Sequence, residues 1–146
     1  EDFKLATGTF VSVGPLRAKI IAAGAPFIQD VVLTGINLKE VGAMVFPTPA
    51  VRALSGMAAD APLADVLSSE PVLAHFQKVL NELSKTSTGS ANRIARMCLL
   101  SEPPTIDKGE ITDKGSINQR SVLSHRGDTV AALHEERLHF ILKPTL

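Results

Sequence analysis

Hydrophobic and polar positions alternate along this chain in blocks, and the period of each block predicts an element. Residues 3–13, FKLATGTFVSV, give two β-prone runs around Gly8, which predicts a hairpin bending at that glycine. GPLRAKIIAAG follows with Leu16, Ile20 and Ile21 at helical spacing, Pro15 near the start and Gly24 just past the end. FIQDVVLTG and VGAMVFP read as two strands. The short polar INLKE between them predicts an antiparallel pair, with the almost wholly apolar second strand in the centre. Residues 48–61 are rich in Pro, Gly and Ala and read as a connection.

The strongest helical stripe is in SSEPVLAHFQKVLNELSK, where Val72, Leu73, Phe76, Val79, Leu80 and Leu83 share a face. Ser69 is its candidate cap and Pro71 falls in its first turn. RIARMCLL reads as a third strand. Residues 118–137 read as one last helix carrying Val122, Leu123, Val130 and Leu133, weakened at Gly127. The apolar tail LHFILKP has no assigned place. The order hairpin, helix, strand, strand, helix, strand, loop, helix predicts an α/β (α+β) domain. It has a small central sheet of about three strands, flanked by helices, and an N-terminal β-hairpin.

Composition narrows the functional classes. The 146 residues suit one domain, and 45% hydrophobic residues can form a core. Lys and Arg total 15 and so do Asp and Glu, so no general attraction to nucleic acid or an anionic membrane is expected. Trp and Tyr are absent, which weakens the case for an aromatic nucleic-acid platform. No run has the length of a membrane span, and none reads as a signal peptide. The sequence starts without Met and in the middle of a pattern, which reads as part of a longer protein. Cys98 is alone, so an internal disulfide is impossible and a reducing, cytoplasmic setting is expected. Its apolar strand makes it a buried, inert thiol. His75, His125, His134 and His139 lack metal-site spacing and read as surface histidines, so no metal is expected on this chain. GTFVSVG lacks the lysine–hydroxyl ending of a phosphate-binding P-loop.

Two segments stand out against this background. Residues 109–120, GEITDKGSINQR, place Lys114 between Asp113 and Gly115 just ahead of a helix start. Asn118 is a candidate cap for that helix. By composition alone Lys114 is a solvated loop lysine, as Lys108 is. DFKLATGTFVSVGPLR resembles the motif that follows the hinge in adenylate-forming enzymes, the superfamily of acyl-CoA synthetases, luciferases and peptide-synthetase adenylation domains. Phe3, Lys4, Leu5, Gly8 and Val11 carry that likeness. GEITDKGSINQR resembles the closing motif of the same superfamily, and its wording is nearest the feruloyl-CoA synthetase branch. FIQDVVLTG and EVGAMVFP resemble the strand pair between the two motifs. The resemblance spans roughly residues 1–135.

It implies that residues 1–146 are the mobile C-terminal lid of an AMP-forming acyl- or aryl-CoA ligase, inactive without a large N-terminal domain. That domain would bind ATP, Mg2+ and a carboxylic acid. One closed state of the lid would form an acyl-adenylate, and a rotated state would form the thioester with coenzyme A. The resemblance assigns Lys114 the catalytic role in the first step, with Gly115 allowing the loop to approach the nucleotide. It makes Lys4, Gly8 and Thr9 candidates for nucleotide or coenzyme A contact. A compact ammonium on a long stem suits charge that builds on phosphoryl oxygens. In the common pattern the lysine directly follows the glycine; here Ser116 holds that place and Lys114 precedes Gly115. Arg120 is expected to hold the loop to its own domain. The alternatives are a stand-alone binding module with the same fold and a lid acting with a carrier protein.

Overall fold

The computed structural model describes residues 2–145. Strands β1 (Phe3–Lys4) and β2 (Phe10–Val11) form the expected hairpin, with Gly8 at φ +86° in its turn. Helix α1 (Val13–Gly24) leads into β3 (Ile28–Thr34), which pairs antiparallel with β4 (Val41–Pro47). Helix α1 starts a residue earlier than the sequence pattern suggests, and Gly24 is its last residue instead of lying beyond it. A β-carbon on Gly24 would collide with the Ile28 side chain, so close packing against β3 is what requires glycine here.

From β4 the chain crosses through α2 (Val51–Ser55), α3 (Leu63–Leu67) and α4 (Glu70–Lys85) to reach β5 (Ile94–Leu99), which runs parallel to β4. A parallel neighbour needs such a crossover. Part of residues 48–61 is therefore helical, not a plain connection: α2 lies within it. The last helix is also corrected. It is two helices, α5 (Gln119–His125) and α6 (Gly127–His134), broken at Arg126. Ser69 precedes α4 as expected but does not cap it through its side chain; its hydroxyl donates to the Val66 carbonyl at 2.6 Å.

The sheet order β3-β4-β5 puts β4 in the centre, as its apolar run requires. Both faces of the sheet are covered. Val31, Leu33, Ala43, Val45 and Met97 face one cluster with Leu16 and Ile20 of α1 and Phe76 and Leu80 of α4. Val32, Met44, Phe46 and Cys98 face the other with Ile117, Val122 and Leu133. The alternation along each strand is the period-two signature of a pleated sheet sandwiched by helices. Val72, Phe76, Val79, Leu80 and Leu83 of α4 are buried, and at about 2 kcal/mol each their burial is worth roughly 10 kcal/mol.

The apolar tail finds its place on the free edge of β5. Met97 and Leu142 exchange two main-chain hydrogen bonds of 2.9 Å, and Gln77 of α4 donates to the Lys143 carbonyl at 2.7 Å. No helix among the described residues is long and apolar enough to cross a membrane.

Candidate functional site

Lys114 sits at the tip of a small second hairpin. Ile111 bridges Ile117, Thr112 N donates to Ser116 O at 2.8 Å, and Gly115 N donates to Thr112 O at 2.9 Å. Gly115 is left-handed, with φ +85°. These features define a three-residue loop of Asp113, Lys114 and Gly115, in which a tight turn is followed by a glycine that lets the chain rejoin its partner. The Thr112 and Ser116 hydroxyls, 2.8 Å apart, close the turn from outside. Lys114 is exposed, and its ammonium makes no hydrogen bond or ion pair with any described residue. Ser116, in the place where the common pattern has lysine, is thus a turn-closing hydroxyl.

The tip is exposed, but the stem is fixed. Glu110 is fully buried. One of its oxygens accepts from Arg126 Nε and pairs with His125 Nδ1, both at 2.9 Å. The other accepts from Thr105 N at 2.9 Å and Arg126 Nη2 at 3.1 Å. The bonded Arg126 guanidinium, helped by His125 and Thr105, holds the Glu110 carboxyl down at about 2, against buried surroundings that would raise it. Arg126 also donates to the carbonyls of Glu102 and Pro103, each at 3.0 Å, and its guanidinium lies 5.0 Å from the centre of the Phe46 ring.

The other leg of the stem is tied to β3. Ile117 N donates to Asp30 Oδ2 at 3.3 Å, while Asp30 Oδ1 accepts from Val31 N and from Arg17 of α1. Two residues on, the Gln119 amide bonds both main-chain groups of Leu33. Asn118 caps α5, its Oδ1 accepting from Ser121 N at 3.1 Å, as its place in the sequence suggests.

The second group of candidates lies at the far end of β3. Lys4 O accepts from Asn37 N at 2.9 Å, and Ala6 N donates to Leu38 O at 2.7 Å, docking the first hairpin on the turn after β3. Lys4, Gly8 and Thr9 are all exposed on it. The Lys4 ammonium stands 5.0 Å over the exposed ring of Phe10. A β-carbon on Gly8 would meet nothing within 4 Å, so the space above the turn is open. The Lys114 hairpin is tied to Asp30 and Leu33 of β3, and the first hairpin to Asn37 and Leu38 in the turn beyond it. The structure therefore brings Lys114 together with Gly115, and Lys4 with Gly8 and Thr9, but does not join the two sets.

Other sequence expectations are refined. Cys98 is buried, and burial pushes its thiol up to about 12, so it stays protonated and inert at neutral pH. Not all the histidines belong to the surface. His134 is half-buried and bonded to the Thr34 hydroxyl at 2.6 Å; His75 is partly buried against Phe27; His125 is committed to Glu110. His75 and His134 are drawn inward by contacts distant in sequence, whereas His125 and His139 stay exposed, as expected. Arg120 is exposed at the start of α5, beside Asp2 and Phe3. Glu110 and Arg126 are the site-building residues that the sequence pattern missed. A buried acid inside a polar loop and an arginine inside a helical block look like surface charges until the fold joins them.

No protein-family model matches the chain. No curated protein matches it either. Solved structures do. The adenylation domain of carboxylic acid reductase from Segniliparus rugosus, in complex with AMP and a co-purified carboxylic acid, matches with 24% identity and TM-score 0.61, over 94% of this chain and 20% of that one. The A-PCP didomain of carboxylic acid reductase from the same organism, with AMP, matches at 23% and 0.60, over 92% and 17%. The adenylation domain of a carboxylate reductase from Mycobacterium chelonae matches at 21% and 0.63, over 92% and 19%. At these identities the likeness is one of fold: the chain shares the architecture of a segment making up a fifth or less of those proteins.

Proposed function

We propose that this chain is the C-terminal lid of an adenylate-forming enzyme and that Lys114 is the cation it delivers to the reaction. The observation that carries this reading is the contrast within one hairpin. The stem is held by buried acids, whereas the lysine at the tip faces outward with no partner among the described residues. The exposed tip leaves the ammonium free to meet a group on a separate domain, while the anchored stem fixes where the tip stands. The fold likeness to adenylation domains bound to AMP supports the same reading.

In the proposed reaction a carboxylate oxygen of the acid bonds to the α-phosphorus of ATP. The bond from that phosphorus to the β-phosphate bridging oxygen breaks, and pyrophosphate leaves with the electron pair. ATP and Mg2+ would be held by the N-terminal domain, where the metal would screen the phosphate charges. Lys114 would supply a positive charge beside the α-phosphoryl oxygens as negative charge builds there, and a preformed hairpin keeps the cost of orienting it low. In the second step a thiol sulfur bonds to the acyl carbon, AMP leaves, and the thiol proton passes to water. The exposed hairpin of Lys4, Gly8 and Thr9 suits that step, because the open space over Gly8 admits a thin thiol-bearing arm close to the backbone.

Coenzyme A is the proposed acceptor and an aryl-propenoic acid of the feruloyl type the proposed substrate, on the wording of the closing motif. A carrier-borne thiol is the second reading, favoured by the likeness to an A-PCP didomain. The experiment is isotope exchange between pyrophosphate and ATP by the full-length enzyme, with ferulate, benzoate and aliphatic acids compared. Exchange that depends on an added acid is expected. Thioester formation with free coenzyme A then separates the two acceptors. Absence of acid-dependent exchange, with tight coenzyme A binding by this chain alone, would favour a non-catalytic binding module instead.

A further inference from the structure

The buried knot beneath the Lys114 hairpin is larger than closing a loop requires. A single guanidinium, Arg126, binds the entry of the loop at Glu102 and Pro103, its middle at Glu110, and lies over Phe46 of the central strand. Arg126 is also the residue at which the helix after the loop breaks, joining the end of α5 to the start of α6. The knot thus links all the chain on either side of the hairpin to the sheet. Buried ion pairs are poor sources of net stability, since an apolar replacement of similar volume is often as stable. What a bidentate pair does provide is a fixed geometry.

We propose that Glu110 and Arg126 are positioning residues for Lys114, setting the direction in which the hairpin presents its ammonium. This rests on the adenylation role proposed for Lys114. Glu110 is four residues from Lys114, and the hairpin between them is closed across Thr112 and Ser116 through both main chain and side chains. The Asn118 N–H donates to the Glu110 carbonyl at 2.8 Å, so the two legs of the stem move together. A small tilt of Glu110 therefore carries to the tip as a displacement of the ammonium, and a misplacement of about 1 Å can cost about a hundredfold in rate.

The test is a double-mutant cycle in the full-length enzyme, with Arg126→Lys, Lys114→Ala and their combination. Arg126→Lys keeps the charge but loses the fork. Expected is a fall of about tenfold in kcat for adenylation, little change in KM for ATP, unchanged transfer from preformed adenylate, and no further loss in the Lys114→Ala background. Equal losses in both backgrounds would overturn the positioning role while leaving Lys114 in place. No effect of Lys114→Ala itself would overturn the adenylation reading, and the positioning role with it. Should Arg126→Lys not fold, amide exchange on the wild-type chain serves. Protection of Asn118 N–H comparable with that of β4 supports a rigid stem, and free exchange there overturns it.

Discussion

Gln119 pairs with Leu33 as a neighbouring strand would. Its side-chain oxygen accepts from Leu33 N at 3.1 Å and its amide nitrogen donates to Leu33 O at 2.6 Å. β3 is an edge strand, so both main-chain groups of Leu33 would otherwise point out of the sheet without a partner. Gln119 is itself buried and begins α5, which makes this amide the seam between the sheet and the end of the Lys114 loop. Replacing it by leucine leaves two buried polar groups unsatisfied. Gln119→Leu is expected to lower stability by about 2–4 kcal/mol in urea unfolding. A loss within about 0.5 kcal/mol would show that water or a shifted side chain replaces the amide.

Glu110 makes stability depend on acid. Its carboxyl lies at about 2 in the fold against 4.5 in the unfolded chain, because Arg126 binds the ionised form. A lowered pKa means that the contribution is complete above about pH 4.5 and disappears as pH falls through about 2. The difference corresponds to about 3 kcal/mol. The stability gap between wild type and Glu110→Gln should therefore be widest near neutral pH and narrow steadily between pH 4.5 and 2. A gap that does not change with pH would contradict the pairing.

Gly42 lies in the central strand directly under the Thr34–His134 contact. A β-carbon there would clash with the Thr34 hydroxyl and press on the Leu133 and His134 side chains at 3.1 and 3.2 Å. Gly42→Ala is expected to cost about 1–3 kcal/mol by overpacking. Thermal unfolding measures it, and an unchanged midpoint would show that α6 can give way.

Gly115 offers the opposite case. A β-carbon there meets nothing within 4 Å, but φ is +85°. Gly115→Ala should cost only about 1–2 kcal/mol of stability from left-handed strain, while adenylation falls further than that loss explains, because relieving the strain turns Lys114 aside. Full adenylation activity in a folded Gly115→Ala enzyme would show that the loop geometry is not used.

The parts of this fold legible in the sequence are those where one residue pattern decides the element. The apolar runs of β3 and β4, the stripe from Val72 to Leu83 and the cap at Asn118 belong to this class. Helices α2 and α3 are five residues each, too short to show a period, and prolines flank them. The break at Arg126 was concealed because Val122 and Leu133 on either side still face one cluster. Of the site, Lys114 and Gly115 were visible as a motif. The Glu110–Arg126 pair was not, since residues 16 apart joined by a tertiary contact leave no period to read.

If Lys114 serves chemistry housed in another domain, it does so in the first half-reaction only. The direct measurement is Lys114→Ala in the full-length enzyme, with the two half-reactions followed separately. Expected is a loss of about a hundredfold or more in adenylate formation, with transfer from preformed adenylate to the thiol nearly unchanged. Equal losses in both half-reactions, or none in the first, would contradict it.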